Sequence, residues 1–202
     1  MSIIYERTEH GFWRQVNPEP FVYDEAYKAR QGTNEAMSYL RLGWLAAQLG
    51  KSMCDMRVVD VGCGNGCFVR CAAPFFKSVC GYDVAGQSIS RNELLETEWD
   101  LVICTDVLEH MLDMGELFWI HWRFAFISFP ETPMVKNWEE LRGWRHFKPN
   151  EHVWCLNMDG MKEWLNDHEC IVVGSGHFED CIRTRWNPEK PNISSILVRR
   201  IS

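Results

Sequence analysis

An acidic residue followed by three glycines at alternate positions is the part of this chain best suited to close contact with a ligand. Asp60 follows the apolar run "MRVV", and Gly62, Gly64 and Gly66 come after it in "DVGCGNG". Glycine adds nothing to a core and costs backbone entropy, so a cluster of three needs a physical reason. Gly62 permits a sharp turn, Gly64 lets the backbone approach a ligand, and Gly66 lets the next segment pack closely. The pattern therefore predicts a binding turn that also includes Cys63.

The spacing of these glycines separates two classes of ligand. A dinucleotide-binding turn has the spacing G-x-G-x-x-G and no preceding acid, because a pyrophosphate would be repelled there. In this chain the third glycine comes one residue earlier and Asp60 precedes the turn. A ligand with a cationic end fits better, and S-adenosylmethionine carries an ammonium and a sulfonium group. About twenty residues further on, Asp83 could accept hydrogen bonds from both hydroxyls of a ribose.

Alternating strands and helices must position this turn. Continuous apolar and β-branched runs predict strands over 56–61, 78–83, 99–105, 124–129, 170–175 and 193–200. Helices are predicted over 24–49, 66–73, 115–122 and 158–167, with Asp159 as a possible cap of the last one. Such alternation is typical of a mostly parallel sheet covered on both faces, in which ligands bind outside the carboxyl ends of the strands.

Four motifs in a consistent order resemble the class I, Rossmann-like S-adenosylmethionine-dependent methyltransferases over about residues 55–200. They are "VVDVGCGNG" at 58–66, "VCGYDV" at 79–84, "WDLVICTDVLEHM" at 99–111 and "FISFPETP" at 126–133. The stretch "HFKPNEH" resembles compact bacterial and phage-type members of this family. The resemblance implies an α/β fold, a Rossmann-like three-layer α/β/α sandwich, with S-adenosyl-L-methionine as cofactor. We expect an N-terminal helical segment or lid over 1–50 and a methyltransferase domain over 51–202.

The resemblance also implies which residues hold the cofactor. The expected set is Asp60, Gly62, Cys63, Gly64, Asp83, Val84, Thr105, Asp106, Val107 and His110. Asp60 and the glycine turn would flank the methionine moiety, and Asp83 would hold the ribose. Asp106 would lie beside the sulfonium and amino end, or would cap the helix "VLEHM" in a capping box with Glu109. His110 would either point to the cofactor carboxylate or pack on that helix.

The interval between Asp83 and Asp100 is short for this family. The family usually places a helix, a strand and a loop with an adenine-contacting acid there, whereas residues 84–99 can hold a helix and little else. We therefore expect a sheet that lacks one edge strand. The adenine pocket would then be made by other residues.

The acceptor is expected near the aromatic and polar segment 137–156, because such mixtures suit small-molecule pockets. Its candidate contacts are Trp144 in this segment, Tyr23 and Tyr27 on the predicted N-terminal helix, and Arg183 near the C-terminus. For each of these the alternative is ordinary packing or a solvated side chain.

His146 and His152 are the candidate general bases, with Glu151 orienting one of them. Methyl transfer is an in-line displacement, so the enzyme positions the acceptor and can remove its proton. Histidine suits that task near neutral pH. The alternative is that His152 anchors the loop as a core histidine while Glu151 pairs with Arg145 or Lys148.

The composition sets limits on partners and compartment. The formal net charge of −7 disfavours a general nucleic-acid binder, and no apolar segment reaches the length of a membrane span. The nine cysteines lie mostly in apolar segments, as in a reducing compartment, which favours a cytoplasmic protein. Cys63, Cys67 and Cys71 are spaced four apart, but no C-x-x-C pair accompanies them, so no metal site is predicted.

These observations favour transfer of a methyl group to an oxygen or nitrogen of a small-molecule acceptor. Two alternatives remain: a methyltransferase that modifies a nucleotide or a tRNA base, and a non-catalytic S-adenosylmethionine-binding protein. A nicotinamide oxidoreductase would need a different glycine spacing and no acid before the turn. The identity of the acceptor and the oligomeric state are left open.

Overall fold

A central sheet flanked by helices organises the structure, a computed structural model that describes residues 3–22, 34–86, 88–182 and 191–201. In chain order the strands are β1 (Ile4–Arg7), β2 (Trp13–Val16), β3 (Arg57–Val61), β4 (Ser78–Tyr82), β5 (Glu98–Thr105), β6 (His121–Pro130), β7 (Trp154–Cys155), β8 (Cys170–Gly176) and β9 (Ile193–Arg200). The α-helices are α1 (Glu35–Leu49), α2 (Cys67–Ala72), α3 (Arg91–Glu96) and α4 (Met158–Asp167). Short 3-10 helices span Gly50–Asp55, Ala73–Phe75, Leu108–His110, Met114–Trp119, Trp138–Gly143 and Phe178–Ile182.

The central sheet has six strands in the order β4-β3-β5-β6-β9-β8 within the described part of the chain. The first four are parallel to one another, and β9 runs antiparallel to both of its neighbours. Between β4 and β5 the described residues hold one helix, α3, and no strand. The predicted Rossmann-like sheet and its missing edge strand are therefore confirmed.

The two faces of this sheet carry separate apolar clusters. Successive side chains of β5 alternate, so that Leu101 and Ile103 pack on the face of α1 and α2, while Val102 and Cys104 pack on the face of α3 and α4. All four of these side chains are almost fully buried. Burial on both faces explains why the strand reads as a continuous apolar run, and it gives the predicted three-layer sandwich.

A second, smaller sheet has the order β1-β2-β7 and is antiparallel. Residues 4–7 and 13–16 are therefore strands, and the expectation of a helical N-terminal segment is wrong for this part of residues 1–50. In this sheet the ring of Tyr5 is buried in one cluster with Leu141 and Cys155, and Trp144 packs against that cluster. The hydroxyl of Tyr5 also donates to the carbonyl oxygen of His152 (2.9 Å).

Helix α1 forms the C-terminal part of the predicted helix 24–49, and its N-cap is Asn34, whose side chain accepts from the N–H of Met37. Its buried Leu42 and Leu45 lie in the cluster that contains β-strand residues of the central sheet. The division of the chain at residue 50 stays a prediction. No helix in the described ranges is both long and apolar enough to cross a membrane.

Two local predictions are wrong. The segment predicted as a helix over 115–122 is a 3-10 helix that ends at Trp119, because β6 begins at His121 to pair with β5. Helix α4 is capped by Asn157 and not by Asp159, since the Asn157 side chain accepts from the N–H of Gly160 (2.8 Å).

Candidate functional site

A cavity of about 340 Å³ lies at the carboxyl ends of β3, β4 and β5. Six of the predicted cofactor residues line it: Gly62, Asp83, Val84, Asp106, Val107 and His110. Parallel strands end at the same edge of a sheet, which is why loops distant in sequence meet here. The volume is within the usual range for small-molecule sites, about 300–1,000 Å³.

The glycine turn has a backbone that only glycine adopts without strain. Gly62 has a φ of +72°, and a Cβ atom added to it would lie 2.3 Å from Cγ2 of Val107. Gly64 has a φ of +51°. Its N–H donates to Oδ2 of Asp83 (2.9 Å), which ties the turn to the loop after β4. The missing side chains thus let three loops approach one another at the cavity.

Asp83 is held by two backbone hydrogen bonds. Besides the bond from Gly64, its Oδ1 accepts from the N–H of Ala85 (2.8 Å). An ionised carboxylate has about four acceptor positions, so Asp83 keeps others for a ligand at the cavity wall. The neighbouring Val84 is 70% exposed.

Asp60, Cys63, Gly64 and Thr105 do not line the cavity, although the sequence places them with the cofactor residues. Asp60 is 4% exposed, and burial raises its pKa to about 7 against the opposing effect of the Arg41 guanidinium. Cys63 packs beneath Gly81, where an added Cβ would lie 2.6 Å from its Sγ. Thr105 Oγ1 accepts from Nη1 of Arg41 (3.0 Å). The direct cofactor contacts predicted for these four residues stay predictions.

Arg41 is a central polar residue that sequence reasoning missed. It projects from α1 and is 2% exposed, and its Nε and Nη2 donate to the two carboxylate oxygens of Glu179, both at 2.9 Å. Nη2 also donates to Oγ of Ser128 (3.4 Å) and lies 3.6 Å from Oδ2 of Asp106. One signal was available, because Arg41 falls four residues from the buried Met37 and Leu45 on the apolar face of α1.

Asp106 adopts a left-handed backbone conformation, with a φ of +55°. Its N–H donates to the carbonyl oxygen of Ser128 (2.9 Å), so the chain turns sharply where β5 ends. The alternative role of Asp106 as a helix cap is wrong, because the 3-10 helix Leu108–His110 has no side-chain cap. The capping box with Glu109 is wrong too, since neither carboxylate oxygen of Glu109 has a hydrogen-bond partner among the described residues. The left-handed backbone of Asp106 is strained for a residue other than glycine, and such strain is common at ligand-binding sites.

Glu109, His110 and His152 form a buried cluster beside the cavity. One potential ligand atom from each residue lies within 4.8 Å of the other two. The rings of His110 and His152 meet edge to face, with centroids 4.7 Å apart. Burial raises the pKa of Glu109 well above its usual range and lowers that of His110. Burial also lowers the pKa of His152 to about 2, so both imidazoles are neutral near pH 7.

The other predicted catalytic residues lie outside the cavity wall. Nε2 of His146 is 2.8 Å from Oδ1 of Asn192, and Nζ of Lys148 donates to Oε1 of Glu151 (2.9 Å). The lysine pairing is the alternative that the sequence left open for Glu151. His152 does not line the cavity either, whereas His110 does. The catalytic roles of His146, His152 and Glu151 stay predictions.

The predicted acceptor contacts are only partly described. Trp144 packs with the cluster of the small sheet and meets the ring of His146 at a centroid distance of 5.4 Å. Tyr23, Tyr27 and Arg183 lie outside the described residues. Contact with an acceptor stays a prediction for all four.

The cavity has apolar walls that the sequence did not reveal. Leu94 and Leu95 come from α3, and Leu112 and Trp119 come from the segment between β5 and β6. Leu112 is 65% exposed and Trp119 53%, which is unusual for side chains of this size. Asp83 lines the same cavity as these apolar residues. A short helix with adjacent leucines after a Ser90 cap was the available signal.

Fold and site together define a Rossmann-like α/β protein. Its cavity lies at the carboxyl ends of the parallel strands, where the order of the strands in the sheet reverses direction. A family model described as a methyltransferase domain matches residues 33–173. The chain therefore belongs to the methyltransferase domain family, and the resemblance found in the sequence is confirmed.

Relatives and solved structures agree with this assignment. A ubiquinone biosynthesis O-methyltransferase from Bordetella parapertussis is 33% identical over 100 aligned positions, which cover 39% of this chain and 41% of the relative. The chain thus matches less than half the length of that curated relative.

Two solved structures share the fold. The 1,6-didemethyltoxoflavin-N1-methyltransferase of Burkholderia thailandensis, with bound 1,6-didemethyltoxoflavin and S-adenosylhomocysteine, has a TM-score of 0.61 at 14% identity and covers 98% of this chain and 100% of its own. The magnesium protoporphyrin IX methyltransferase of Synechocystis PCC 6803 with bound SAH has a TM-score of 0.56 at 16% identity. The match covers 87% of this chain and 92% of the methyltransferase chain.

Proposed function

We propose that this chain transfers a methyl group from S-adenosyl-L-methionine to an oxygen of a small-molecule acceptor. The observation that carries the proposal is the meeting of the glycine turn, Asp83 and Asp106 around one cavity. The curated relatives named as O-methyltransferases favour oxygen over nitrogen as the accepting atom.

The residues around the cavity fit the cofactor part by part. Asp83 offers acceptor positions for ribose hydroxyls, and the apolar surfaces of Leu94, Leu95 and Trp119 suit a planar adenine ring. Asp106 supplies negative charge for the ammonium end of the cofactor. The buried Arg41 guanidinium pairs with the Asp106 carboxylate and holds it in position. When bound, S-adenosylmethionine supplies an electrophilic methyl group on a sulfonium.

The contribution of the chain to the reaction is mainly positional. In-line displacement requires the acceptor atom to lie opposite the leaving sulfur, and holding two reactants in this way can lower the barrier by about 7–11 kcal/mol. Asp106 and His110 belong to the loop after β5, and both line the cavity. We place the acceptor on this side of the cavity.

The same proposal covers partners and compartment. A small-molecule acceptor fits a half-open, largely apolar cavity of this size better than a polymer does. The net charge of −7 argues against a nucleic-acid partner, and the nine free thiols support a reducing, cytoplasmic location.

The test is titration calorimetry with S-adenosylmethionine, S-adenosylhomocysteine and NAD on the wild type and on Asp83→Ala. Hydrogen bonds to a carboxylate contribute about 1.5–3 kcal/mol, so the variant should bind both sulfur ligands roughly ten- to hundredfold more weakly. Asp55→Ala, at an exposed residue remote from the cavity, is the matched control and should bind like the wild type. Binding of NAD alone, or equal affinities in the two aspartate variants, would refute the proposal.

A further inference from the structure

Buried polar atoms without partners are concentrated at one place beside the cavity. They are both carboxylate oxygens of Glu109, Nδ1 of His110 and Nδ1 of His152, with Thr132 Oγ1 the only other such atom among the described residues. Buried polar groups are normally hydrogen-bonded, and each one left unsatisfied costs about 1–3 kcal/mol. Four in one cluster indicate a binding partner that completes the site.

The chemistry of these groups selects a cation as that partner. Carboxylate oxygens and imidazole nitrogens are metal ligands, and one such atom from each of the three residues lies within 4.8 Å of the other two. The carboxylates of Asp106 and Glu151 add negative potential around His110, which the Lys148 ammonium only partly offsets. Glu109 is 2% exposed and His152 4%, so the cation would be well shielded from solvent.

We propose that Glu109, His110 and His152 bind one divalent transition-metal cation of the Zn²⁺ type. One carboxylate with two imidazoles is a ligand set typical of Zn²⁺, Mn²⁺ or Fe²⁺, whereas Mg²⁺ and Ca²⁺ prefer oxygen alone. Ligands of a tetrahedral cation with bonds of about 2.1 Å lie about 3.4 Å apart. The three potential ligand atoms lie up to 4.8 Å apart, so side-chain rotations must bring them closer when a cation binds.

The position of the cluster gives the cation an open side. His110 lines the cavity, while Glu109 and His152 are buried behind it. Three protein ligands leave a coordination position free, as in catalytic metal sites. That position would face the cavity at the place proposed for the acceptor.

A role in catalysis rests on the proposed function. A cation at this point would attract a hydroxyl oxygen of the acceptor and lower its pKa. The hydroxyl proton would pass to water, the new C–O bond would form, and the C–S bond would break with its electron pair left on sulfur.

The test measures metal binding without methyl donor or acceptor. The full chain is freed of metal with a chelator and titrated with Zn²⁺, Mn²⁺ and Mg²⁺ in separate calorimetry experiments. One equivalent of Zn²⁺ should bind, Mg²⁺ should bind at least tenfold more weakly, and Glu109→Gln and His152→Asn should each lower Zn²⁺ affinity at least tenfold. His121→Asn, at an exposed histidine, is the control and should bind Zn²⁺ like the wild type.

Free thiols are the main competing ligands, so a spectroscopic readout is needed. Cobalt(II) bound by nitrogen and oxygen should show ligand-field absorption without the thiolate-to-metal charge-transfer band that cysteine would produce. Zn²⁺ should also raise the Tm of the wild type but not that of Glu109→Gln, whose folding is checked by circular dichroism. Stoichiometric Zn²⁺ binding that both variants retain, a thiolate band, or no binding at all would overturn the inference.

The outcomes separate this inference from the proposed function. A protein that binds S-adenosylhomocysteine but no metal overturns the metal site alone. A protein that binds the metal in the cluster but neither sulfur ligand overturns the proposed function alone.

Discussion

Replacement of Gly62 by alanine is the most direct test of the turn that brings the site together. The added Cβ would lie 2.3 Å from Cγ2 of Val107, far inside van der Waals contact. Val107 is β-branched and stiff at χ1, so its methyl group cannot easily turn away. Gly62 is also held by its N–H bond to the carbonyl oxygen of Tyr82 (2.7 Å), which resists movement of the turn.

Two separate effects set the magnitude. A left-handed conformation costs alanine about 1–2 kcal/mol, and overpacking costs about 1–3 kcal/mol. We therefore expect Gly62→Ala to lower the free energy of unfolding by about 2–5 kcal/mol. Gly11 has a φ of +74°, and an added Cβ would meet nothing closer than Nη2 of Arg7 at 3.7 Å. Gly11→Ala should therefore lose only the conformational part, about 1–2 kcal/mol.

Urea denaturation of four proteins completes a double-mutant cycle: the wild type, Gly62→Ala, Val107→Ala and the double variant. Removing the Val107 methyl groups relieves the contact, so the double variant should be more stable than additivity predicts by about 1–3 kcal/mol. If Gly62→Ala is no more destabilising than Gly11→Ala, or if the coupling energy is zero, the inferred contact between turn and loop is wrong.

Three further predictions concern the groups around the cavity. Burial raises the Asp60 pKa from its ordinary 3.8 to about 7, so the folded state binds this proton more tightly than the unfolded state. The wild type should therefore lose stability relative to Asp60→Asn as pH rises from 4 to about 7, by up to about 4 kcal/mol, measured by urea denaturation across that range. Arg41→Met removes the bidentate partner of the buried Glu179 and should cost about 3–5 kcal/mol of unfolding free energy, with a smaller further loss when Glu179→Leu is added. Trp119→Ala should weaken S-adenosylhomocysteine binding at least tenfold in calorimetry with little change in Tm, because this ring is half exposed at the cavity wall.

Each of these predictions has an outcome that contradicts it. The Asp60 prediction is wrong if wild type and Asp60→Asn respond equally to pH, or if the exposed Asp55→Asn shows the same difference. Additive losses in the Arg41 and Glu179 variants would show that the two side chains are not coupled. Unchanged ligand affinity in Trp119→Ala would place the ligand away from the apolar wall.

Local sequence determined much of the central sheet and the turn. The β-branched runs at 57–61 and 193–200 form strands because largely apolar runs suit strands that are buried on both faces of a sheet. Glycines in left-handed conformations mark the ligand turn because no other residue adopts them as easily. The missing edge strand followed from length alone, since residues 84–99 have room for α3 and no strand in addition.

Tertiary packing decided the features that local pattern cannot encode. Strand β1 forms because β2, which is itself paired with β7, offers it a partner. The helix expected at 115–122 is replaced in part by β6, because His121 pairs with Glu98 at the start of β5. Short segments adopt the conformation that allows hydrogen bonding to and packing against neighbouring strands, and these tertiary interactions override local propensity.

The polar residues of the site show most clearly what local sequence determines and what tertiary packing decides. The sequence pointed to His152 and His110 separately, but only the fold brings residue 152 against the turn at 109–110 and leaves their buried atoms unpartnered. Arg41 likewise reaches Glu179 across 138 positions of the chain. Spacing along one element predicts which side chains share a face, whereas contact between elements depends on how the layers pack, and that is decided by burial of the whole core.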